Sequence, residues 1–235
     1  MTTTRFPNGV TNVAAQSLLA NLPVPFMFGQ YTEWGEDFDR YRAGDWTDTI
    51  VGTGTVALVN AENGALQLTT SATAGDSVFL DKVGECFKFT SGQKLWFSGR
   101  FQVSDATATE LVFGLQITDT TPTAVSNGVY FHKAAGSAAL DLVQVSAASG
   151  TTTTTSGILS LANATYYTVR FYYDGASTIY YQVLDATGVV VAGGAVVANV
   201  PAVTQTISFG LSNGATAAAE SMTVDYIWTA QETIR

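Results

Sequence analysis

Charge is what this sequence has least of. Only 12% of its 235 residues are Asp, Glu, Lys or Arg, about half the usual share of a globular chain, so Thr, Ser, Asn, Gln and Gly must supply the polar surface. Positive charge is scarcer still. Ten Lys and Arg stand against 19 Asp and Glu, a formal net charge of -9, and a chain this acidic does not gather a phosphate backbone by counterion release, which argues against nucleic acid as a partner. The single cysteine, Cys86, excludes an internal disulfide. With only one histidine in the chain to activate it, Cys86 is expected to be a small buried hydrophobe rather than a nucleophile. That histidine, His132, cannot build a metal cluster by itself, and no Ser-His-Asp set is readable, so neither a metal nor a cofactor is expected. The opening Met1-Thr2-Thr3-Thr4-Arg5-Phe6-Pro7 lacks the cationic start and apolar core of a secretory leader, and no apolar run reaches membrane-spanning length. The chain is therefore expected to be made in a cytoplasm and to stay out of membranes.

What the sequence has instead is alternation. In Tyr166 to Tyr173, every second residue places Tyr167, Val169, Phe171 and Tyr173 on one face and Tyr166, Thr168, Arg170 and Tyr172 on the other, as a pleated strand requires. Asp174-Gly175-Ala176-Ser177 then predicts a reversal, Ile179, Tyr181 and Val183 resume the alternation, and Asp185-Ala186-Thr187-Gly188 predicts a second reversal into Val189-Val190-Val191. Leu95, Phe97, Phe101 and Val103 share a face opposite Trp96, Ser98, Arg100 and Gln102. Leu111, Phe113, Leu115 and Ile117 repeat the pattern. Further strands are predicted around Leu66 and Leu68, over 128–133, 140–145 and 206–211, and over 222–229, where Met222, Val224, Tyr226 and Trp228 fall on one side. Many strands separated by turn residues, with almost no helix, specify an all-β, antiparallel two-sheet jelly-roll sandwich. The Thr-rich stretch 146–156 reads as a mobile surface loop.

The first part of the chain differs in texture, so the organisation predicted is an irregular N-terminal arm over 1–45 and the jelly roll over 46–235. A short helix is predicted within 10–22, ended by Pro23 and Pro25. Phe6, Phe26, Phe28, Tyr31 and Trp34 then supply more apolar area than a solvated linker keeps, either as an arm packed on another chain or as a lid on the domain's own core. The acids of Glu33 to Asp39 look like a charged loop. Their spacing does not give the facing carboxylates of a glycosidase, and Asp37-Phe38-Asp39 lacks the later ligands of a calcium loop. Aromatics on polar strand faces, Trp96 and Tyr172 foremost with Tyr166 and Tyr180, are candidates for stacking on a sugar ring or anchoring a protein interface.

Four segments, Lys94 to Phe101, Asn127 to Phe131, Tyr167 to Gly175 and Val224 to Trp228, resemble the strands of concanavalin A-like, laminin-G-like jelly rolls. The paired-acid strand of that family's glucanases is absent, so no enzymatic activity is expected. With its Arg5-Phe6-Pro7-Asn8-Gly9-Val10 opening, the whole chain looks like a virion structural protein of tailed bacteriophages, in particular a capsid decoration or cement protein. The resemblance implies a homo-oligomer on the capsid exterior, assembled in the host cytoplasm, whose partners are the major capsid protein and neighbouring copies of itself. The alternative is a virion-displayed carbohydrate-binding, lectin-like module whose partner is a surface glycan.

Overall fold

The protein is described here by a computed structural model, which covers residues 31–215 and 218–233. The described chain forms β1 (Tyr31–Glu36), β2 (Trp46–Val51), β3 (Thr55–Val59), β4 (Ala65–Thr69), β5 (Ser77–Lys82), β6 (Leu95–Val103), β7 (Thr109–Gln116), β8 (Asn127–Lys133), β9 (Ala139–Ser146), β10 (Thr151–Ser160), β11 (Tyr167–Tyr173), β12 (Thr178–Leu184), β13 (Val190–Val197), β14 (Thr206–Asn213) and β15 (Ser221–Glu232). One sheet runs β13-β12-β11-β6-β15-β4-β3, with β1 added to β15 beyond the end of β4; the other runs β10-β9-β8-β7-β14-β5-β2. The neighbouring strands pair antiparallel. The two-sheet jelly roll expected from the sequence is the fold.

Its core lies between the sheets, where Phe97, Phe101 and Phe171 of the first meet Phe113, Phe131 and Phe209 of the second, all buried. Ring centroids of Phe101 and Phe113 are 4.9 Å apart, and those of Phe97 and Phe113 are 5.7 Å apart. Gly99 allows this approach, because a Cβ there would overlap the Phe113 ring. In β11 the inward face is the expected one: Tyr167, Val169, Phe171 and Tyr173 are buried, with Thr168 also covered on the other face. The Asp174 carboxylate accepts the backbone N–H groups of Ala176, Ser177 and Thr178 at 2.8 to 3.0 Å, and Gly175 takes a positive φ of 80°. The Asp-Gly reversal therefore holds together through the side-chain bonds that make Asp a turn residue.

Several expectations change. The β15 register shifts between Val224 and Tyr226, so Asp225 is an inserted, bulged residue that reverses the parity beyond it. Ile227 turns inward and is buried, while Tyr226 and Trp228 lie on the outer face rather than beside Val224. The Thr run forms the first half of the edge strand β10, paired in register with β9 from Thr151 to Thr155, because β-branched Thr suits a half-exposed pleated edge. Cys86 is exposed, since it sits in the connection after β5 and not on a core face.

The jelly roll also begins before Trp46. Strand β1 pairs with β15 from Tyr31↔Glu232 to Glu36↔Ile227. Trp34 packs edge-on against Trp46 at 5.5 Å, and Phe38, buried, adds its ring against Trp46 and Phe209. Tyr31, over Trp96 on the outer face, and Trp34, against the core, both contact their own domain, and the predicted charged loop starts as a strand. Phe6, Phe26, Phe28 and the predicted helix lie outside the described residues.

Candidate functional site

Strand register builds a continuous row on the outer face of the β1-containing sheet. Tyr180 of β12, Tyr172 of β11, Trp96 of β6, Ala230 of β15 and Glu33 of β1 stand directly across from one another. Neighbouring rings stack, with centroids 5.9 Å apart for Tyr180 and Tyr172 and 5.4 Å for Tyr172 and Trp96. Tyr31 closes over the far side of Trp96 at 6.2 Å. Trp96 therefore faces outward as its alternation predicted, yet it is only 1% exposed, because rings from β1 and β11 cover it. It supports the row and is not itself a free stacking surface.

The open ring is at the other end. Tyr180 is 38% exposed, and its neighbour on β13 is Ala195, with Gly194 and Gly193 next along the strand. Small residues there leave the ring face turned away from Tyr172 uncovered. Burial, helped by the negative charges of Asp174 and Glu232, pushes the Tyr172 hydroxyl up to about 12, so it remains a proton donor at neutral pH. The adjacent row on the same face reads Gly193, Gln182, Arg170, Ser98 and Trp228. An apolar ring face flanked by an amide, a guanidinium and a phenol can hold a sugar, whose C–H face lies on the ring while its hydroxyls meet the polar groups.

Most other charges on this face are already paired. Glu33 accepts the Trp228 indole N–H at 2.8 Å, Asp225 pairs with Arg100, which lies 4.3 Å over the Tyr166 ring, and Glu232 accepts the Lys94 backbone N–H at 2.8 Å. Two donors are left over: Trp96 Nε1 and Arg170 Nε are buried without a hydrogen-bond partner among the described residues. Sequence reasoning placed both on the outer face but did not single out Arg170, Gln182 or the open end at Ala195.

Elsewhere, His132 meets Glu110 at 3.0 Å on the outer face of the opposite sheet, and this bond holds the Glu110 carboxyl below its usual range. Lys133 is fully buried and donates to the carbonyls of Thr109, Ala134 and Ser137; desolvation drags its pKa down to about 8, and it ties loop backbone together. Carboxylates of Glu36, Asp37 and Asp39 lie within 4.8 Å of one another. A depression of about 400 Å³ is lined by Asp105, Thr107, Ala108, Ala135, Gly136 and Ala215. Its one carboxylate, Asp105, is occupied by the N–H groups of Ala108 and Thr107, which lower its pKa.

A protein-family profile described as "SO2946-like, C-terminal domain" matches residues 61–225. No curated protein matches the chain. Among solved structures, protein of unknown function SO2946 from Shewanella oneidensis MR-1 is similar at 16% identity and a TM-score of 0.61, with 87% of each chain covered. The endo-1,3-beta-glucanase from Streptomyces sioyaensis is similar at 16% identity and 0.61, over 90% of this chain and 100% of that one. The CBM2 module of the evolved Dit of Lactobacillus casei BL23 phage J-1 is similar at 10% identity and 0.54, over 88% and 98%. Plant lectins share the fold as well.

Proposed function

The chain belongs to the SO2946-like, C-terminal domain family, and we propose that it is a non-catalytic carbohydrate-binding module displayed on the virion of a tailed phage. The observation that carries this reading is the uncovered ring of Tyr180 at the end of a rigid aromatic row, with Gln182 and Arg170 beside it. Lectins, a glucanase and a phage CBM2 module among its structural neighbours support a glycan as ligand and a virion as setting. A binding role is favoured over hydrolysis because Glu33, Asp225 and Glu232, acids on the outer face of this sheet, already accept bonds from Trp228, Arg100 and Lys94. On a glycan array the protein should bind a defined subset of sugars, and Tyr180→Ala should weaken that binding about tenfold or more while leaving circular dichroism unchanged. No reducing ends should be released from the bound glycans. Turnover would make the protein an enzyme, and binding that survives Tyr180→Ala would move the site.

A second reading, decoration of the phage shell, draws on strand β13. It ends its sheet, exposes Val190, Val191 and Val197, and lies in a stretch with no charged residue between Asp185 and Glu220. An uncharged apolar edge readily accepts another strand. In that reading the protein co-sediments with purified capsids and Val191→Lys releases it; a protein that stays in the supernatant has no such role.

A further inference from the structure

Arg170 is the unusual group on the outer face. It sits half-buried near the middle of a sheet, directly across from Ser98 on one side and Gln182 on the other. Its Nε is buried without a partner, and its remaining nitrogens make no hydrogen bond or ion pair among the described residues while staying within reach of solvent. Arg100 and Lys94 nearby have carboxylates, Asp225 and Glu232; Arg170 has none, on a chain with a net charge of -9. A guanidinium presents donors in a fixed fork that matches a carboxylate, and a partly desolvated one with nothing to bind gains most from such a ligand.

Tyr180 is one strand over and two residues along from Arg170, a diagonal distance on the order of 7–8 Å, with Arg170 on the Tyr172 side of the ring and the open face toward β13. A glycan with one sugar on the open face of Tyr180 that runs on across β12 therefore brings a following sugar over the guanidinium. We infer that the site selects a glycan bearing a uronic acid, in which one sugar lies on Tyr180 and the C6 carboxylate of a uronate further along the chain is taken by Arg170. The inference rests on the carbohydrate reading of the same face and adds its chemical class. The protein's own negative charge sets the form of the ligand: a densely charged polyuronide is repelled, whereas one uronate in an otherwise neutral oligosaccharide meets a single unpaired cation.

The test uses the full chain and matched pairs of short oligosaccharides, each pair identical except that one hexose is replaced by its uronic acid, titrated calorimetrically at about 0.05 and 0.5 M salt. The wild type should prefer the uronate member of at least one pair by about tenfold, with the preference shrinking at high salt. Arg170→Gln should abolish the preference by weakening the uronate member more than the neutral one; Arg170→Lys should restore part of it. If both members bind equally and Arg170→Gln changes neither, the uronate inference falls while carbohydrate binding stands. If no member of any pair binds, both fall together. Tyr180→Ala should weaken both members alike, and an effect on the uronate alone would also overturn the arrangement.

Discussion

Replacing Phe171 by Ala is expected to remove about 3–5 kcal/mol of folding stability. Phe171 is 1% exposed, its ring stacks on Phe97 of the adjacent strand at 5.0 Å and 14°, and it reaches across the sandwich to Phe131 at 6.3 Å. Phe89 closes a further side at 6.3 Å. Truncation opens a cavity that these rings cannot collapse into, since Phe97 and Phe131 are each held by their own strand, and it also forfeits the stacked pair, worth about 0.5–1.5 kcal/mol beyond area burial. A domain of this kind is stable by only about 5–15 kcal/mol, so the variant should sit near its folding threshold. Urea titration should show a lower midpoint at unchanged slope, whereas Phe171→Leu, which keeps most of the volume, should cost clearly less. The same substitution reaches the outer face, because Arg170 and Tyr172 flank Phe171 on β11. A loss under about 1 kcal/mol would mean that the core is not packed at this point.

That strand also shows what was legible in the sequence and what was not. Alternation assigns a face, and it did so correctly for β6, β7, β11 and β12, where each turn carries residues suited to it. Parity is lost wherever one residue is inserted: Asp225 leaves no mark in a string of strand-forming residues, yet it exchanges Tyr226 and Ile227 between the core and the surface. Cover is likewise unreadable. Trp96 is buried by Tyr31 and Tyr172, residues distant in sequence that meet it only through the pairing of four strands, β1, β15, β6 and β11. The missing partner of Arg170 belongs to the same class, since its neighbours Ser98 and Gln182 are set by strand register. Lys133 is different. It shares parity with Val129 and Phe131, and a lysine on an apolar face was visible as an anomaly that its three carbonyl acceptors resolve.

Asp81 raises the same kind of anomaly in a carboxylate, and its replacement by Asn is expected to stabilise the protein at neutral pH. Asp81 lies on β5, directly across from Ser208 of β14, and is 2% exposed. Burial, only partly offset by hydrogen bonds from Ser208 and the Asp119 backbone and helped by the negative charges of Asp119 and Glu85, pushes its pKa from 3.8 up to about 6. Below about pH 4 the carboxyl is protonated in both the folded and the unfolded chain and has no differential effect. Between about 4 and 6 the folded state keeps a proton that the unfolded state releases, so stability falls as pH rises. Above about 6 the folded carboxyl is ionised too, and the full penalty is present: at about 1.4 kcal/mol per pH unit the difference amounts to about 3 kcal/mol. An amide at this position carries no charge, and its NH2 can donate to Ser208 Oγ directly across the sheet. Asp81→Asn should therefore gain up to about 3 kcal/mol at pH 7 and close to nothing at pH 4. The difference between the two stability curves measured by urea titration across pH 4 to 8 isolates this residue from the other acids, whose titration is common to both proteins. Parallel curves would mean that the Asp81 carboxyl titrates as it does in water, with access to solvent that its 2% exposure should deny it.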